Sequence, residues 1–398
     1  MENNEALTKE ELSLLQNRMM SLLRFEIVGI TPDKSLFENA SDDDFKRLYA
    51  FSKYHDIAHL VGDAVIKCGY TLGDEIKAKF QKQAMLAVYR YQTSDEELAS
   101  ASKALADANI PFVPLKGSVI RDLYPEQWMR TSCDIDILIH EEDLEKASGL
   151  LLGGGYRSHS TSAHDISLIS QNGVNLELHF SLIEDGRIGK TEEILGSVWD
   201  YAEEQLSSKA LILRDEMFYF YHIAHMAKHI EDHGGCGIRP FIDLWILNNR
   251  AEYDVAARDQ LLSSGELKKF EKVSKELSEY WLEGKTPSEL ALKLERFIFS
   301  GGVYGSFKNS AVIGSGKEKS RVKYLLKRIW MPYNLLVGKY PSLKGKRILQ
   351  PAYEVRRWFT LFKKRTFERN KEVLKTSSSL STDAKNDTSK MLSDLGLI

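Results

Sequence analysis

Cysteine is scarce in this chain of 398 residues, and Cys68, Cys133 and Cys236 are widely spaced and odd in number. That excludes a disulfide framework and predicts a reducing compartment. No apolar run approaches the ~20 residues a membrane-spanning helix needs. The opening Met1-Glu2-Asn3-Asn4-Glu5 carries no basic stretch, apolar core or cleavage site, so no secretory signal is expected. The expected location is the cytoplasm, with a place peripheral to a membrane allowed by a basic segment described below. No internal repeat is visible. Disorder is also excluded for most of the chain, because 43% apolar and 10% aromatic residues are ordinary for a globular protein. At this length two or three packing units are expected.

Periodicity divides the chain. Residues 1–109 read as an N-terminal helical region. Leu12, Leu15, Met19 and Leu22 fall at helical spacing, Ser41 precedes three aspartates as an N-cap, and a long helix runs from about Glu75 to Asn109. Residues 110–181 read as a compact α/β unit. It comprises a strand from Ile110 to Leu115, a turn and helix from Gly117 to Tyr124, a strand ending at Ile139, a helix from Glu141 to Gly153, and a hairpin. Residues 190–300 are helical again. Gly301 to Ser320 reads as a connector, 321–375 as a basic helical segment, and 376–398 as a disordered tail rich in Ser, Thr, Asp and Lys. The fold class expected is α+β, a small mixed-sheet core embedded in a mostly helical chain.

The chemistry concentrates in Cys133-Asp134-Ile135-Asp136-Ile137-Leu138-Ile139. Side chains alternate along a strand, so Ile135, Ile137 and Ile139 share a core face. Asp134 and Asp136 share the other, expected to face outward, ~7 Å apart along the chain. Two carboxylates so placed repel unless a cation lies between them, and oxygen ligands suit a hard ion such as Mg²⁺. Relief of that repulsion predicts that Asp136→Asn leaves stability unchanged or raised. A third carboxylate follows on the hairpin, where Asn172-Gly173 is the tight turn and Val174 to Phe180 alternates apolar with polar. Glu177 lies on its polar face beside His179. Upstream, Lys116-Gly117-Ser118 makes a turn into a helix, where glycine lets the backbone approach phosphates and the helix start offers amides and a positive dipole end.

These residues resemble the uncharacterised nucleotidyltransferases of the polymerase-beta-like superfamily. The likeness rests on Gly117-Ser118, the Asp134/Asp136 strand and Glu177. It extends to Pro114-Leu115-Lys116-Gly117, Arg130, Gly155-Tyr156, Glu177-Leu178-His179 and the His-rich helix ending at Asp243-Leu244, covering roughly residues 35 to 250. Fifteen residues (119 to 133) separate Ser118 from Asp134, longer than the compact superfamily spacing, and Lys116 stands where many members have a small residue. The resemblance implies transfer of NMP from an NTP to an acceptor, with pyrophosphate released. Asp134, Asp136 and Glu177 would hold Mg²⁺ or Mn²⁺, Gly117 and Ser118 would cradle phosphates, and Lys116 and Arg130 would meet the β- and γ-phosphates. The acceptor is open, a small molecule or lipid-linked sugar phosphate, with a protein side chain as the alternative. A non-catalytic nucleotide-sensing or membrane-surface scaffold in a polysaccharide pathway is the further alternative, opposed by the intact acids.

His222, His225, His229 and His233 hold four of the ten histidines within twelve residues and fall on one helical face. A polar stripe facing substrate, ordinary packing and a transition-metal site all fit that spacing. With the resemblance, His179, His225, His229 and Asp243 become the substrate-side candidates. Residues 321–375 carry sixteen basic and three acidic residues, against a net charge of −3 for the whole chain. Basic and apolar residues alternate at helical spacing from Val355 to Phe367, which suits an anionic membrane surface as well as a solvated face. Nucleic acid is the weaker partner, because the remainder is acidic and no recognised module is present. If the segment docks on lipid, the chain should cosediment with anionic vesicles and lose them steeply as salt rises. Truncation after Gly316 should abolish binding, and equal sedimentation with neutral vesicles would return the segment to a solvated face.

Overall fold

A computed structural model of the chain describes residues 8–162, 164–183, 189–204, 210–302, 345–361 and 382–398, with Asn309, Tyr333, Leu336, Tyr340 and Leu343. Capping sets the first helices. Glu11 accepts from the Thr8 amide at 2.8 Å while Thr8 accepts from that of Glu11, and α1 (Lys9–Val28) starts there and ends at left-handed Gly29. Ser41 and Asp44 repeat the device for α2 (Asp42–Tyr54). Helix α3 (Ala58–Lys67) packs beside the start of α4 (Asp74–Asp107), whose far end carries Ala101 and Leu105 into a different core.

The sheet follows. Strands β1 (Phe112–Pro114), β2 (Asp134–Ile139), β3 (Arg157–Thr161), β4 (Asp165–Ile169) and β5 (Asn175–His179) lie in the order β1-β2-β5-β4-β3. Only β2 and β5 run parallel, with Asp136 opposite Glu177 and Leu138 opposite His179. The four-residue α5 (Gly117–Ile120) joins β1 towards β2, and α6 (Leu144–Gly153) joins β2 to β3. The hairpin turns at Gly173, φ +80°, where glycine adopts the left-handed conformation without a Cβ clash.

Strand β2 serves two cores. Ile135, Ile137 and Ile139 pack with Leu176, Leu178, Ala147 and Leu105 on one face. Leu138 joins a larger core with Val113, Leu115 and the helices beyond. Those are α7 (Thr191–Leu195), α8 (Asp215–His233), α9 (Arg239–Arg250), α10 (Val255–Ser264), α11 (Lys268–Glu283) and α12 (Glu289–Gly301), with a ribbon of β6 (Ala202–Glu204) and β7 (Leu211–Leu213) before α8.

The fold is α+β, a small mixed sheet in a mostly helical chain. Three features depart from expectation, the first being the ribbon β6–β7 within a stretch expected to be helical. Strand β3 appears where none was expected; all five of its residues are exposed, so it shows no alternation to read. The expected disordered tail contains helix α14 (Thr382–Leu395), which follows α13 (Gln350–Leu361). Met391, Leu392, Leu395 and Leu397 are buried in the helical core. The polar composition concealed a one-sided apolar stripe that has a partner surface on α11 and α12. The connector and basic segment lie outside the described residues apart from those named above. Among the described residues no helix is long and apolar enough to cross a membrane.

Because Leu395 is fully buried, Leu395→Ala should lower the unfolding free energy by about 2–5 kcal/mol. Urea denaturation of the two full-length chains checks this, and an unchanged midpoint would restore the disordered tail.

Candidate functional site

The cleft that gathers the candidate residues has a volume of about 360 Å³ and lies between the end of the sheet and helices α8 and α9. Asp136 is at its centre. It is 1% exposed, not outward-facing as expected. Its Oδ1 accepts from Lys116 Nζ at 2.8 Å and from His179 Nε2 at 2.8 Å. Burial would raise the Asp136 pKa, but the Lys116 ammonium and His179 overcome it and hold the carboxyl well below its ordinary range. Burial likewise opposes the charge on His179, yet its bonds to Asp136 and Glu177 raise it to about 9. Lys116 is pulled down by burial and more than restored by Asp136, ending well above the ordinary amine.

Parallel pairing places Glu177 on the adjacent strand, its Oε2 3.5 Å from His179 Nε2 and its Oε1 accepting from Asn175 Nδ2 at 3.0 Å. The hydrogen bond from His179 lowers the Glu177 pKa, against the opposing effect of burial. Asp134 shares the face of Asp136 and accepts from Ser132 Oγ at 2.9 Å; burial first, then the charge of Asp136, raises its pKa. Among the described residues, the one group of three whose ligand atoms lie within 4.8 Å of one another is Asp136, Glu177 and His179. Asp134 stands beside that group, and His179, expected on the substrate side, belongs to it.

The expected relief on Asp136→Asn reverses here. Repulsion between Asp134 and Asp136 is offset by two cations already bonded to Asp136, so neutralising it strands Lys116 and His179.

The phosphate turn is tight. Lys116 adopts φ +50°, ψ −125°, a conformation that costs a non-glycine residue about 1–3 kcal/mol. A Cβ on Gly117 would lie 3.2 Å from Ser132 Oγ and 3.3 Å from Arg130 Nη1. Helix α5 is too short to supply the expected dipole, which grows with aligned peptide units. Ser118 borders a small crevice with Tyr91 and Arg121, whereas Lys116 and Gly117 border the cleft.

Arg130 lines the cleft beside Gly117, with part of its guanidinium committed to Asp243. Its Nε donates to Asp243 Oδ1 at 2.8 Å and Oδ2 at 3.0 Å, and Nη1 to the Thr131 carbonyl at 2.6 Å. Tyr124 Oη donates to the same Asp243 at 2.6 Å, and burial followed by that carboxylate raises the phenol pKa well above its ordinary value. Asp243 lines the cleft, is 1% exposed and ties α9 to the segment before β2.

The histidine stripe divides. His222, His225 and His229 line the cleft, and His233 does not. His222 Nε2 donates to the Pro240 carbonyl at 2.9 Å, and His225 Nε2 lies 3.0 Å from His229 Nε2. Burial, then repulsion from Lys116, holds the His225 pKa well below its ordinary value.

His55, Ser132, Cys133, His164, Asp165 and Arg239 also line the cleft and were not anticipated. Asp165 had a signal, since it opens the hairpin strand paired with His179. His55 and Arg239 had none beyond the glycine cluster preceding Arg239.

A family model described as uncharacterised nucleotidyltransferase matches residues 41–283. No curated protein and no solved structure matches the chain.

If Asp243 is a clasp, Asp243→Asn should destabilise the chain by about 3–5 kcal/mol, because Arg130 is left buried without a counter-charge. Thermal and urea unfolding check this. A variant with parental stability would return Asp243 to substrate contact.

Proposed function

The chain belongs to this nucleotidyltransferase family, and we propose that it transfers NMP from an NTP to a small acceptor in the cleft around Asp136 in a reaction dependent on Mg²⁺ or Mn²⁺. The observation that carries this is the convergence of Asp136, Glu177 and His179 beside a strained Lys116-Gly117 turn.

The donor set fits a divalent cation. Two carboxylates suit Mg²⁺ or Mn²⁺, and His179, which is bonded to both of them here, would have to give up its proton to join them. Asp134, on the same strand face, supplies a further carboxylate. When bound, such a cation neutralises phosphate oxygens and favours the deprotonated acceptor. The remaining work falls to the chain. Gly117 allows the backbone close to the polyphosphate, and Lys116 supplies an ammonium for the charge that grows on departing pyrophosphate. Glu177, the more exposed acid of the group, takes the acceptor proton. The acceptor oxygen bonds to the α-phosphorus as the bond from that phosphorus to the bridging oxygen breaks, and pyrophosphate leaves with that oxygen.

A cleft of about 360 Å³ lies at the lower end of small-molecule sites, which favours a small or lipid-linked phosphate acceptor over a protein side chain. His225 and His229 line the acceptor side.

Incubation with each α-labelled NTP and Mg²⁺ or Mn²⁺, with and without cell extract, tests the proposal by where the label goes. Glu177→Gln preserves shape and the Asn175 hydrogen bond, so transfer should fall about 10²-fold or more. Stability should change by no more than about 1 kcal/mol. Transfer at the parental rate would remove Glu177 from the chemistry.

A further inference from the structure

One stretch of the cleft wall is unused by that chemistry: Gly234-Gly235-Cys236-Gly237-Ile238-Arg239-Pro240, the link from α8 to α9. Its glycines take φ +77°, +153° and +74°. The link is buried from Gly234 through Ile238, yet the amides of Gly237 and Ile238 donate to no described residue and that of Cys236 only to its own thiol. Buried amides rarely stay unpaired, so such a run has room for an acceptor from outside the chain. Helix α9, twelve residues long, starts here without a side-chain cap, and Gly237 to Pro240 line the cleft. Successive amides leading into a helix N-terminus form a concavity for anions.

A second observation is independent of that backbone. His55 is 1% exposed and lines the same cleft. Neither ring nitrogen has a hydrogen-bond partner among the described residues. Phe51, Tyr54 and Phe299 meet the ring edge-on and satisfy neither nitrogen. Burial lowers its pKa to about 4, so it is neutral with one N–H to donate. Arg239 closes the corner. Its Nη2 donates to the Asp56 carbonyl at 3.0 Å and pairs with the Asp56 carboxylate, drawing the His55-Asp56 turn against the start of α9. Its Nε is buried without a partner among the described residues.

We propose that the amides from Cys236 to Ile238, with Arg239 and His55, form the acceptor subsite, and that the acceptor carries a single phosphate or carboxylate group. This rests on the transfer reading above. Charge distinguishes the acceptor from the nucleotide. Asp56 cancels part of the Arg239 charge, leaving a corner suited to a monoanion or dianion, whereas a triphosphate needs Lys116 and a divalent cation.

Selective labelling of the full chain reads the two regions separately. Carbonyl-¹³C cysteine with ¹⁵N glycine selects Gly69 and Gly237, the only glycines that follow cysteine, and the lysine–glycine pair selects Gly117 and Gly345. Inorganic phosphate or, separately, acetate should shift Gly237 and leave Gly69 unmoved, with or without a non-hydrolysable NTP analogue and Mg²⁺. Whichever anion acts at lower concentration identifies the acceptor group. Arg239→Gln should raise the half-maximal concentration about tenfold, with an unmoved Gly69 signal reporting an intact fold. The proposal is overturned if neither anion moves Gly237, or if the analogue moves Gly237 and abolishes the anion effect. An analogue that leaves Gly117 unmoved strikes the transfer reading instead, whatever Gly237 does.

Discussion

Burying a carboxylate is the constraint from which most of this molecule follows. Asp136 is almost wholly withdrawn from water, and an ion so placed costs several kcal/mol unless paired. Two partners offset that cost, and each dictates structure. Lys116 reaches Asp136 from a turn held at positive φ, so backbone strain at one residue is tolerated for a cation at another. His179 reaches it from a neighbouring strand, which requires β5 to lie parallel to β2 in the observed register. Helix α6 and the outer strands occupy the chain between those two strands, as parallel neighbours need a crossover.

Local chemistry made much of the fold legible. Thr8 and Ser41 begin helices because their hydroxyls satisfy free amides, and Asn172-Gly173 turns the hairpin because glycine accepts the left-handed conformation. The missed elements are those whose burial depends on distant residues. Leu392 and Leu395 pack on helices about a hundred positions upstream, and nothing in a Ser- and Lys-rich tail announces that surface. The ribbon β6–β7 and edge strand β3 are too short or too exposed to show alternation.

At the site, residue types were legible and their partners were not. The two aspartates, Glu177, Lys116, Arg130, Asp243 and the stripe histidines other than His233 meet in one cleft, because alternation along a strand and helical spacing are local rules. Arg130 and Asp243 are 113 positions apart in the chain, and the bond that clasps these two residues of the cleft wall together could not be read from local rules. The outward placement of Asp136 failed for the same reason: alternation assigns a face, and only packing decides whether that face meets water or α8 and α9.

The double burial of β2 bears on modularity. Residues 110–181 hold both aspartates and Glu177, and look like a cassette that could be transplanted. Val113, Leu115, Ile120 and Leu138 nonetheless belong to the helical core, so an excised cassette would present that apolar face to water. Sheet and helices thus share an apolar boundary, and recombination could exchange the helices only by supplying a new cover for Leu138 and its neighbours.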